Sequence, residues 1–157
     1  MKESLHKYIH SWDIASANFN FFKHPELSED LEELDDLISY FEWQFELATI
    51  KDRLFDALVI TDRNFEIQWV SSGFEKMTGY EPVFALHKTP KFLHGPETEP
   101  IKREDIAQIA KTGIPEYARV KNYKADGSVY ICDIEIMPLY AQNDELSHYL
   151  AVEKEIR

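Results

Sequence analysis

The dipeptide Asp126-Gly127 lies between two runs that alternate apolar and polar residues, and no other feature constrains the fold of this chain as tightly. Asp-Gly in that setting is the strongest short-range sign of a β-hairpin, because the tight turn needs residues that accept positive φ. Residues 116–124 and 129–138 are therefore predicted to pair as antiparallel strands. Gln142-Asn143-Asp144 turns the chain again, and residues 146–156 form the next strand. Upstream, Ala57-Leu58-Val59-Ile60-Thr61 is a short β-branched run and Asp62-Arg63-Asn64 is a turn. Glu66-Ile67-Gln68-Trp69-Val70 then alternates as a half-exposed strand does.

Residues 72–112 carry no strand pattern. Ser72 can cap a short helix that runs through Met77 and closes at Gly79. Pro82, Pro90 and Pro96 cut the stretch into short pieces. Thr98 can cap a longer helix over 99–111, with Ile101, Ile106, Ile109 and Ala110 as its apolar residues and Gly113 as its stop. Two strands, several short helices and three strands predict an α+β fold, a five-stranded antiparallel sheet with the helices gathered on one face. Such a sheet can leave an interior pocket between its concave face and the helices.

Before residue 55 the pattern is helical. Leu5, Tyr8, Ile9 and Trp12 place a short helix over 3–18, and 19–27 is a connection containing Pro25. Ser28 can cap a second helix, with Glu29, Asp30, Glu32 and Glu33 at the positive end of its dipole. Leu31, Leu34, Ile38, Phe41, Phe45 and Ala48 alternate at spacings of three and four, a heptad seam that extends the helix over 28–54. A face this apolar needs a partner, either its own domain or a second copy. The expectation is a homodimer through Leu34, Ile38, Phe41 and Phe45. The chain is thus divided into an N-terminal helix and connection (1–27), a signalling or dimerisation helix (28–55) and a core (56–157).

A length of 157 residues fits one domain with an appendage. The net charge of −12 repels phosphate backbones and anionic membrane surfaces, so neither nucleic acid nor membrane is an expected partner. The single cysteine, Cys132, can form neither an internal disulfide nor a cysteine zinc cluster, which suits a reducing compartment. No signal-peptide run opens the chain, and no stretch approaches the roughly 20 apolar residues of a membrane span. A cytoplasmic location is expected. No HExxH, GxSxG, P-loop or dinucleotide fingerprint is present, and His6 and His10 read as a surface pair. With no nucleophile–base constellation and no metal site, the chain is not expected to be an enzyme.

The segment Lys91-Phe92-Leu93-His94-Gly95-Pro96-Glu97-Thr98 resembles the LOV motif, in which Asn-Cys-Arg-Phe-Leu-Gln precedes Gly-Pro-Glu-Thr. Phe74, the Met77-Thr78-Gly79-Tyr80 run, and Asn122-Tyr123 followed by Asp126-Gly127 are similar to the PAS family, of which LOV domains are a blue-light-sensing branch. The resemblance covers roughly 56–157 and runs without a gap over 89–122. It implies a PAS sensory or protein-interaction module in signal transduction, with an unidentified downstream partner. The chain ends just past the last strand, so a stand-alone module is expected.

LOV domains bind FMN and form a light-driven bond between a cysteine sulfur and the flavin. Here Pro90 stands at the position of that cysteine, which excludes the bond. The resemblance further implies a pocket drawn from Lys91, His94, Asn122, Cys132 and Glu153. Lys91 replaces a phosphate-contacting arginine, and a second such arginine falls at Ala107. His94 replaces a glutamine, Cys132 the second of two ring-reading asparagines, and Glu153 the glutamine of the last strand; Asn122 retains the first asparagine. Alternation agrees, since Val120 with Asn122, Cys132 with Ile134, and Glu153 with Ala151 each share a face. Each lost polar partner costs on the order of 1 kcal/mol of flavin affinity. The expectation is a module without cofactor, whose core is filled as Asn122 and Glu153 satisfy each other or the backbone. The alternative is a sensor carrying FMN in a non-adduct redox or light mode, or another small molecule. A buried Glu153 without a cation is expected to have a raised pKa.

Overall fold

The computed structural model describes residues 27–157, with side chains from residue 29 onward. The readings for 3–18, including Leu5, Tyr8, Ile9, Trp12, His6 and His10, lie outside the described residues, as does the side chain of Ser28.

Strands β1 (Ala57–Asp62), β2 (Ile67–Val70), β3 (Glu116–Tyr123), β4 (Val129–Tyr140) and β5 (Leu146–Ile156) form one sheet in the order β2-β1-β5-β4-β3. Every neighbouring pair is antiparallel. The turns are made by the residues whose chemistry predicts them. Gly127 takes φ 84, and Asp126 Oδ1 accepts from the N–H and hydroxyl of Ser128 at 2.8 and 2.6 Å. Asp62 Oδ1 accepts from the N–H groups of Asn64 and Glu66, closing the β1–β2 turn.

One face of the sheet carries the short helices α2 (Gly73–Thr78), α3 (Pro82–Ala85) and α4 (Arg103–Thr112), with a 3-10 turn at Pro90–Leu93. Phe74, Met77, Ala85 and Leu93 pack there against Ala57, Val59, Ile67, Tyr130 and Cys132. Two predicted caps act differently. Ser72 has helical backbone angles and makes no side-chain cap; its N–H and hydroxyl instead donate to Asp30 at 2.8 and 2.9 Å. The longer helix begins at Arg103 rather than 99. Thr98 accepts from the Gly95 N–H and donates to the Lys121 carbonyl, so its hydroxyl is spent on fastening the preceding loop to β3.

The opposite face corrects the N-terminal reading. The helix expected over 28–54 ends at Phe41. Glu42 takes φ 55, Trp43 N–H closes back on the Ile38 carbonyl at 3.0 Å, and Gln44 N–H reaches the Tyr140 carbonyl at 2.8 Å. The chain then returns over the sheet through a 3-10 turn at Leu47–Thr49. Leu34, Leu37 and Ile38 of this helix, α1 (Leu27–Phe41), join Trp43 and Ile50 against Leu58, Ile60, Trp69, Met137, Leu139, Leu150 and Val152. Leu34 is 0% exposed and Ile38 9%; Phe41 and Phe45 are half-buried in the same cluster. The four residues assigned to a dimer seam therefore pack on the chain's own sheet. Each fully buried Leu or Ile gains roughly 1.5–3 kcal/mol there, so offering this seam to a second copy would first require undocking the helix.

Candidate functional site

A cavity of about 1020 Å³ lies between α4 and the helix-bearing face of the sheet. Its floor is the set of inward positions that alternation predicts: Val59 and Thr61 on β1, Val120 and Asn122 on β3, Ile134 and Ile136 on β4, and Tyr149, Ala151 and Glu153 on β5. Ile106, Ala107 and Ala110 of α4 form the roof, and the β1–β2 turn and residues 89–94 close the sides. The volume lies at the upper end of the ~300–1,000 Å³ typical of small-molecule sites. The expectation of a filled core is overturned. Asn122 and Glu153 do not satisfy each other, and Asn122 Oδ1 is buried without a hydrogen-bond partner.

Polarity is distributed unevenly around the cavity. Arg63, Lys91, Lys102 and Arg103 are all exposed on its rim, with Glu104 as the one acid beside them. On a chain with 29 acidic and 17 basic residues, this is a local inversion of charge suited to an anionic group. Lys91 was legible in the sequence; Arg63, Lys102 and Arg103 were not. Arg103 stands one helical turn before Ala107, so the same helix can supply a guanidinium from a neighbouring position. His94 also lines the rim, and burial together with the charge of Lys91 holds its pKa below the usual imidazole range.

The inner end is uncharged apart from Glu153. Burial alone pushes that carboxyl up to about 7, as expected for an acid without a cation. The Cys132 thiol lies beside it, with Sγ 4.0 Å from Oε2. Cys132 is 0% exposed and lies behind the cavity floor rather than on it. Burial, then the nearby Glu153 carboxyl, raises its thiol pKa, so the sulfur is a packing residue rather than a nucleophile. Tyr130 stands across the ladder from Asn122, and burial likewise raises its hydroxyl pKa. Of the predicted pocket residues, Lys91, His94, Asn122 and Glu153 reach the cavity and Cys132 does not. Pro90 lines the cavity.

A family model described as PAS domain matches residues 56–157. The chain belongs to the PAS domain family. Such domains are sensory modules, and this one is similar to a blue-light photoreceptor of Listeria innocua, 31% identical over 63% of this chain and 40% of that protein. It is 29% identical to a nitrogen fixation regulatory protein of Klebsiella oxytoca over 64% of this chain. The PAS chain spans only 20% of the length of that relative. Among solved structures, the dark structure of the blue-light photoreceptor Aureochrome1 LOV matches with a TM-score of 0.62 and 25% identity, covering 73% of this chain and 85% of that one.

A flavin mononucleotide, the cofactor of the LOV branch, passes the test of fit. The rim cations suit its phosphate, and the apolar walls suit a flat ring. Asn122 lines the inner end of the cavity, and its Oδ1 is buried there without a hydrogen-bond partner. Among the described residues, no group of three or more His, Cys, Asp or Glu could hold a metal ion, and no helix is long and apolar enough to cross a membrane.

Proposed function

We propose that this PAS domain is a ligand-binding sensor whose cavity takes an anionic heteroaromatic molecule of the flavin mononucleotide class, without cysteine-adduct photochemistry. The cavity itself carries the reading: an apolar slot with a cationic rim at one end and Asn122 and Glu153 at the other. Arg63, Lys91, Lys102 and Arg103 would hold the phosphate, and Asn122 and Glu153 the ring edge. A bound flavin absorbs blue light and exchanges electrons, and the chain's part is to bind, orient and shield it. The role is sensory rather than catalytic. Titrating ligand-stripped protein with flavin mononucleotide, followed by flavin fluorescence, is expected to saturate at one per chain. An Arg63→Glu/Arg103→Glu double variant is expected to bind at least tenfold more weakly. Failure of the wild-type protein to saturate refutes the reading.

An interaction role has its own support. Tyr117 (68% exposed), Val129 (46%), Ile131 (36%) and Ile156 (39%) are exposed apolar residues on β3, β4 and β5. Their side chains offer a second copy a surface that Leu34 and Ile38 do not. Sedimentation is expected to give a dimer for the wild type and a monomer for Ile131→Glu; equal masses would refute the interface.

A further inference from the structure

Resting on the ligand-cavity reading, we propose that the cavity takes up its occupant together with a proton on Glu153. It thereby selects molecules that present a hydrogen-bond acceptor to the last strand. Glu153 occupies a central position on β5, with Ala57 and Ile134 as its partners on the two flanking strands. Its backbone carbonyl accepts from Asp56 N–H at 2.8 Å, so its place is fixed by the ladder and its carboxyl is aimed into the cavity.

No cation meets that carboxyl. From β4 it faces the neutral Cys132 and Tyr130, from β3 the neutral Asn122, and from its own strand Tyr149 and Ala151. The acids that flank it in the ladder, Asp56 and Glu155, are engaged elsewhere. Asp56 accepts from Glu155 N–H at 2.9 Å and lies 3.5 Å from Arg157, while Glu155 pairs with Lys124 at 2.8 Å. The rim groups Arg63, Lys91, Lys102, Arg103, Glu104 and His94 line the same cavity, but only burial acts on the Glu153 carboxyl.

The two protonation states offer different partners. An ionised carboxylate accepts only, whereas a protonated one donates through its hydroxyl and accepts through its carbonyl. An ionised Glu153 therefore leaves a carboxylate at the inner end of the cavity with no charge partner. Adding the proton removes that charge and creates a donor on the last strand. An occupant that presents an acceptor there completes the bond, and binding then raises the affinity of Glu153 for its proton. By linkage, occupant affinity is flat below about pH 7 and falls by up to tenfold per pH unit above it, until the carboxyl in the complex ionises. His94 is held low and stays neutral across that window. The phosphate of a nucleotide probe, whose second pKa is ~6, is almost fully ionised at about pH 7.5 and above.

Calorimetry with flavin mononucleotide on the full chain tests this, in paired buffers of different ionisation enthalpy at about pH 6.5, 7.5 and 8.5. The wild type is expected to take up a growing fraction of one proton per molecule bound as pH rises. Its Kd is expected to rise several-fold between the two higher pH values. Glu153→Gln keeps a permanent donor and is expected to bind with no proton uptake and a flat profile. Wild-type binding without proton uptake overturns the proposal and leaves the cavity reading intact, as does a Glu153→Gln profile that keeps the wild-type slope. No binding by either protein at any pH overturns both.

Discussion

Exchanging Glu153 for glutamine keeps the size and shape of the side chain and removes its ability to ionise. The structure sets both the magnitude and the pH dependence of the effect. Burial moves the Glu153 carboxyl from 4.5 to about 7 in the folded protein, while the unfolded chain returns it to 4.5. Between those values the folded state holds a proton that the unfolded state has released, so stability falls as pH rises through the window. The cost is absent below about 4.5 and complete above about 7. At about 1.4 kcal/mol for each tenfold in proton affinity, it amounts to about 3 kcal/mol. Glu153→Gln should therefore gain about 3 kcal/mol over wild type at pH 8, and close to nothing at pH 4.5. At 2–4 °C per kcal/mol for a domain of this size, the pH 8 gain is a rise in Tm of roughly 10 °C. Urea denaturation of ligand-stripped protein at both pH values measures it. An equal gain at the two pH values would mean that shape rather than charge is responsible, and the argument for a buried ionisable Glu153 would fail.

Three further outcomes follow from the same structure. Leu34→Ala is expected to cost about 2–5 kcal/mol in urea denaturation, as a fully buried leucine does, with no change of solution mass; dissociation without loss of stability would restore the seam to a dimer. Glu33 accepts from Trp69 Nε1 at 3.2 Å, and burial, reinforced by the charges of Asp30, Glu29 and Asp36, pushes its carboxyl up to about 8. Its raised pKa likewise weakens docking of α1 as pH rises, so Glu33→Gln should stabilise the protein by about 1 kcal/mol at pH 8, allowing for its partial exposure, and leave it unchanged at pH 4; thermal unfolding at both pH values decides. A Cβ at Gly95 would collide with the ring of Tyr123, whose hydroxyl accepts from Glu97 N–H at 3.1 Å. Gly95→Ala is accordingly expected to cost about 1–3 kcal/mol and to shift the NMR signals of Tyr123 and residues 94–98. An unperturbed Tyr123 would contradict that packing.

The sheet was legible because its signals are local. Period-two alternation placed Asn122 and Glu153 on the inward face, and Asp126-Gly127 and Asp62-Arg63-Asn64 carry their own turn chemistry. The end of α1 was not legible, since residues 28–54 contain neither glycine nor proline to punctuate them. The break comes from tertiary packing. Trp43 and Ile50 are drawn into the sheet face, and Glu42 accepts a left-handed φ to allow it. The cationic rim escaped for a related reason. Arg63 belongs to a turn, Lys91 to a 3-10 segment and Arg103 to a helix, so no spacing in the sequence links them and only the closed cavity brings them together.

The visible absorption spectrum of the protein as purified, with mass spectrometry of whatever denaturation releases, tests the ligand-binding claim most directly. Release of an anionic heteroaromatic molecule is expected, with a flavin spectrum if that molecule is flavin mononucleotide. A colourless protein that releases nothing and does not take up flavin mononucleotide at pH 6.5 would contradict it.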